Sequence, residues 1–190
     1  MTTAAISGPI TRCPVGMSWI KGAADDPSDL CVHGRVDFRI AQDVLIDPAT
    51  CPEVSPSAAA LFLMRTLARA HTKAAPVGDQ LFPCCGHAMW DLEGREDVEL
   101  QGCGMGLDFE VSYAKAGEPV QVRAADGRAW RVTWSEWQAA VFRFADQIAA
   151  FYARCSPKLI SNDELRHFGK FTAEWERRRG EPLPCRLKLS

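Results

Sequence analysis

Two cysteines and a histidine fall within the run Cys84-Cys85-Gly86-His87. These residue types ligate zinc or, as a thiolate beside an imidazole, attack an electrophile. Cys84 and His87 stand in a C-x-x-H spacing, Cys103 lies in a second glycine-rich turn, and Cys31 with His33 falls on the polar side of an alternating run. Together they are the candidate ligands of a tetrahedral site. Strong zinc signatures repeat a C-x-x-C knuckle, and no second knuckle exists here. A disulfide between the neighbours Cys84 and Cys85 would be strained, because adjacent Cα atoms lie closer than a disulfide prefers. The expectation is therefore no cofactor, with these cysteines acting as small buried hydrophobes. A zinc- or thiol-dependent enzyme centred on the Cys84 to His87 turn is the alternative. No phosphate-loop lysine and no H-E-x-x-H motif is present.

A different chemistry is suggested by carboxylates. Between Asp97 and Trp134 four alternating runs are separated by three turn signals, which reads as an antiparallel meander. In "AADGR" a three-residue loop, Ala125 to Gly127, pairs Val122 with Trp130 and Val120 with Val132, whereas a two-residue loop would put apolar residues on opposite faces. Continuing backward, Val111 meets Val122, Leu100 meets Leu107 and Val98 meets Phe109. One face then collects the apolar residues. The other places Asp97 opposite Glu110 and Glu99 opposite Asp108, with Arg123 beside Glu110 offsetting part of the repulsion. Such a face suits a basic partner, and Trp90, in an apparent loop, adds an aromatic of the kind enriched in interfaces.

The elements that must position these residues are legible in outline. Residues 1 to 29 read as an irregular lead-in, with Trp19 as a pin. From Leu30 to Ile40 apolar and polar residues alternate as in a half-buried strand. Ser55-Pro56 opens an apolar helix that runs to about His71. Ser135 to Gln138 reads as a capping box ahead of Trp137, Val141, Phe144, Ile148 and Phe151. A second helix starts at Ser161, carries Leu165, Phe168, Phe171 and Trp175, and ends in Arg177 to Arg179 before Gly180, with charges that suit its dipole. Residues 30 to 180 form one α+β domain, an antiparallel meander with helices on one face, and residues 181 to 190 an extended arm.

Composition excludes some classes of function. With 22 basic and 24 acidic residues in 190, there is no basic excess for nonspecific nucleic-acid binding. No apolar run is long enough to span a bilayer, and no basic start with an apolar core marks a secretory signal. The eight cysteines, which also include Cys13, Cys51, Cys155 and Cys185, are expected to be reduced thiols in the cytoplasm. The sequence points to a non-enzymatic protein-binding module, such as a bacterial immunity or antitoxin protein that occludes a basic toxin domain.

Overall fold

The computed structural model describes residues 14–21, 25–84, 87–102 and 104–190, with the backbone alone at His87. In chain order the first elements are β1 (Val15–Lys21), β2 (Gly34–Ile40), β3 (Asp43–Ile46), α1 (Pro56–Arg65), β4 (His87–Trp90) and β5 (Glu99–Gly102). They are followed by β6 (Phe109–Ser112), β7 (Val120–Ala124), β8 (Ala129–Val132), α2 (Trp134–Arg154), β9 (Lys158–Ile160), α3 (Asn162–Arg179) and β10 (Leu187–Leu189). The architecture is mixed α+β, and among the described residues no helix is long and apolar enough to cross a membrane.

The strands form four small sheets, ordered β1-β2-β3, β4-β5, β6-β7-β8 and β10-β9. The last two strands of the expected meander have the expected register: Val120 pairs with Val132 and Val122 with Trp130, and Val111 meets Val122 across the preceding turn. Gly127 sets this register. At φ +90° it occupies the left-handed region that the three-residue loop requires, and Ala124 N–H closes the loop on the Arg128 carbonyl at 2.9 Å.

The first pair of the expected meander is different. β5 pairs with β4, so Glu99 lies opposite Trp90 and Leu100 opposite Met89, while Leu107 bridges Phe82. Asp97 and Glu99 therefore do not face Glu110 and Asp108. Most of the inward residues keep their side despite the exchange of partners: Val98, Leu100, Phe109, Val111, Val120, Val122 and Val132 are buried, while Leu107, Tyr113 and Trp130, expected on the same face, are partly buried against the core.

Three further boundaries differ from expectation. The lead-in contains β1, antiparallel to β2, where Val15 and Met17 face inward and Gly16 and Ser18 outward. β2 starts only at Gly34, which pairs with Lys21 and also bridges Val54, and where a side chain would run into the Trp19 indole and the Ile20 carbonyl. Cys31 and His33 precede the strand and do not share its face. α1 stops at Arg65: the Thr66 hydroxyl donates to the Leu63 carbonyl at 2.6 Å and accepts from the Trp137 indole at 3.0 Å, and His71 exchanges backbone hydrogen bonds with Val111. At the start of α1, Ser55 makes no side-chain cap, and Ser57 takes the Val32 amide.

All ten residues of α1 are buried, which its apolar circumference implies. It packs on α2, α3 and β2, and α2 covers β1. Phe38, Phe82, Phe109, Phe144 and Trp137 meet in the core with ring centroids 5.0 to 6.5 Å apart. The capping box of α2 is two residues earlier than expected: Thr133 caps the Glu136 amide and Glu136 returns to the Thr133 amide. That of α3 uses Ser161 and Glu164 as expected, and Gly180 ends the helix at φ +82°. The arm adds β10 in parallel to β9.

Candidate functional site

The four carboxylates expected to form one acidic face are dispersed, and each has a partner within the chain. Glu99 takes Arg95 at 2.6 Å, and Glu110 takes the Lys73 amide at 3.3 Å and lies 3.8 Å from Arg123. Asp108 accepts from Leu81 N–H and from Nε2 of the buried His71, both at 3.0 Å; His71 Nδ1 in turn accepts from Val77 N–H. Asp97 receives Arg177 at 2.7 Å and both oxygens are held by Arg178 at 2.8 and 2.9 Å. Burial alone would raise its pKa, but the charges of Arg178 and Arg65 outweigh it and hold the carboxyl below its ordinary range.

Asp97 belongs to a larger network. From the last turn of α1, the buried Arg65 donates Nε and Nη2 to the two oxygens of Glu174, each at 2.8 Å, and donates further hydrogen bonds to the carbonyls of Val77 and Val98. Glu174 is fully buried on α3 and also accepts from Val98 N–H and Arg178 Nε. One ion pair thus ties α1, α3 and the entry to β5 together. Above it lies an open cleft of about 830 Å³, with Arg69, Arg95 and Arg177 on its walls.

A separate groove of about 360 Å³ lies beside β4. Its apolar lining includes Leu30, Met89, Trp90 and Phe168. Trp90 is 45% exposed, yet it is held in place: its ring meets His167 edge-on at 5.6 Å, and His167 Nδ1 accepts from Asp91 N–H at 2.9 Å. Among the described residues no lysine or arginine lines the groove, and its carboxylates are Asp29 and Glu164. The tryptophan expected to be exposed is exposed; Trp134, by contrast, begins α2 and packs edge-on against Tyr113 at 5.1 Å.

Of the candidate metal ligands, Cys31 and His33 lie near each other around Asp29. Asp29 accepts from Cys31 N–H at 2.9 Å and pairs with His33 Nε2 at 2.7 Å. Burial pushes the Cys31 thiol far up, which disfavours a reactive thiolate. Cys84 bridges Val54 through its backbone. Cys85, Gly86 and Cys103 lie outside the described residues, so the Cys84 to His87 turn is described only in part. Among the described residues no group of three or more His, Cys, Asp or Glu side chains is placed to hold a metal ion. Cys51, Cys155 and Cys185 are thiols.

His33 offers a direct check on this local geometry. Its hydrogen bond to Asp29 raises its pKa against the opposing effect of burial, while Nδ1 is buried with no partner among the described residues. NMR titration should place His33 above the ordinary value of about 6.5, and Asp29→Asn should lower it. Because the folded value is raised, the stabilisation is fully present below the unfolded value and disappears as pH rises through the folded one. Titration at or below the ordinary value in the wild type would contradict the pairing.

The Arg65-Glu174 pair is not among the sequence candidates, although a signal exists. Arg65 interrupts the apolar run "LFLMRTL", and Glu174 sits between Phe171 and Trp175 on the buried stripe of α3. Opposite charges at buried positions of two helices call for each other. No protein-family model, curated protein or solved structure matches the chain.

Proposed function

We propose that the chain is a non-enzymatic protein-binding module that receives a segment of another protein, bearing both apolar and basic side chains, in the groove beside Trp90. The observation that carries this reading is a half-exposed tryptophan, its ring set edge-on against His167, over an apolar groove whose charged lining includes two carboxylates. Tryptophan supplies large contact area, and holding it in place before binding reduces the ordering cost. Asp29 and Glu164 would select lysine or arginine and oppose acidic segments. Asp29 and Glu164 also have partners within the chain, His33 with the Cys31 amide and Ser161 respectively, so what they offer a ligand is negative charge beside the apolar lining.

A toxin with a basic active site has the chemistry of such a partner, which makes an immunity or antitoxin role an instance of this proposal. A cytoplasmic location suits the buried thiols Cys51 and Cys155.

Selection of displayed random peptides on the immobilised protein tests the reading even with no partner in hand. Recovered peptides should combine aliphatic or aromatic residues with Lys or Arg, and their affinity should fall as salt rises. Glu164→Gln should weaken them while keeping α3 capped, since glutamine serves in a capping box. Enrichment of acidic peptides, or indifference to Glu164→Gln, would overturn the proposal.

A further inference from the structure

From the cleft above the Arg65-Glu174 pair we infer a second binding site, for a small molecule carrying an oxyanion, phosphate or carboxylate. It is independent of the groove at Trp90. Guanidinium groups donate hydrogen bonds and accept none, and this cleft gathers five of them: Arg65, Arg69, Arg95, Arg177 and Arg178. Four converge on Asp97. Arg177 and Arg178 reach it at 2.7 and 2.8 Å, Arg69 stands at 3.9 Å and Arg65 at 4.0 Å. Beneath them Glu174 takes Arg65 and Arg178, so the floor holds four cations against two carboxylates.

The floor is also preorganised. Arg65 and Arg178 have side chains 5% and 14% exposed, and their forks are fixed by Glu174 and Asp97. Arg69 is the group this arrangement leaves without a hydrogen-bond acceptor. Its side chain is 57% exposed, its nearest anion is Asp97 at 3.9 Å, and among the described residues it donates no side-chain hydrogen bond. Arg177 has one short bond, to Asp97, and a looser approach to Glu96 at 3.3 Å. Arg69 and Arg177 thus present spare donors around a position where a carboxylate is already recognised. An oxyanion placed there extends the pattern that Asp97 begins, by the charge-assisted, forked geometry that arginine favours.

Two features set limits on the ligand. Asp79, Glu96 and Glu99 stand in the lining, with Arg95 taken by Glu99, and the arginines at the ends of α1 and α3 also offset helix dipoles. The positive field is therefore local to the floor, which selects one compact anionic group over an extended polyanion such as nucleic acid. The apolar wall from Pro76, Val77 and Leu100 gives room for a short carbon skeleton, and the cleft volume lies within the small-molecule range.

Calorimetric titration of the full chain with pyrophosphate and, separately, with citrate, each at constant ionic strength, tests the inference. Saturable binding of at least one probe is expected, and which probe binds distinguishes phosphate from carboxylate ligands. Arg69→Gln and Arg177→Gln should each weaken it about tenfold or more, the scale of one charged hydrogen bond. Arg128→Gln, whose side chain pairs with Asp126 outside the cleft, should leave it unchanged. Neither substitution in the cleft removes a contact of the buried Arg65-Glu174 pair, and thermal melting confirms folding. Absence of saturable heat with both probes, or binding unchanged in Arg69→Gln and Arg177→Gln, would overturn the site.

Discussion

Glu174→Gln lowers the free energy of unfolding by about 3–5 kcal/mol, the range for removing one partner of a buried pair. Glutamine keeps the shape of the side chain and removes its charge. Arg65, 4% exposed, then remains in the interior beside a neutral amide, with Asp97 at 4.0 Å as its nearest carboxylate. Arg178 loses one of its two anions as well. The double substitution Arg65→Met with Glu174→Leu should recover part of the loss, because the desolvation cost of the charges disappears with them. Recovery is incomplete, since Val98 N–H and the carbonyls of Val77 and Val98 lose the partners seen here. Urea denaturation with linear extrapolation measures both variants. A single variant within about 0.5 kcal/mol of wild type, where surface substitutions usually fall, would mean that the network does not hold α1, α3 and β5 together.

Trp90→Ala should weaken binding of a basic, apolar peptide by about 2–4 kcal/mol, the range of an interface hot spot. The fold should survive, because the ring is 45% exposed and its aromatic neighbour is His167. The loss should appear mainly in the dissociation rate, whereas Glu164→Gln should also alter the salt dependence of association. Trp90→Phe keeps an aromatic surface at the lip and should fall between the two. Equal affinities for wild type and Trp90→Ala would remove Trp90 from the interface.

What the sequence reveals and what it conceals follow from the range of the interactions involved. The Ser161 box, the stripe Phe168, Phe171 and Trp175, and the stop at Gly180 are local signals read within a few turns of one helix. The register of β6, β7 and β8 is equally local, because Gly127 and the alternation on either side fix it through short turns. The partner of β5 is a tertiary choice. Val98 and Leu100 alternate correctly for pairing with Leu107 and Phe109 or with β4, and period alone does not discriminate. That one exchange dissolves the expected acidic face and brings Glu99 to Trp90. β1 is concealed for a related reason: Val15, Met17 and Trp19 share its inner face, but glycine and serine between them and the irregular residues before them mask the alternation. The groove is hidden altogether, since Leu30, Met89 and Phe168 come from three distant segments. Trp90 alone is visible as a candidate, through residue type and its place between periodic runs.

The most direct measurement of the central claim is an amide and indole NMR titration of the protein with a basic, apolar peptide from the display selection. Saturable shifts are expected, concentrated on the Trp90 indole N–H and the amides of Leu30, Ala88, Met89 and Phe168, with the β6-β7-β8 sheet unperturbed. Shifts centred on that sheet, or an equal response to a peptide in which Glu replaces every Lys and Arg, would contradict it.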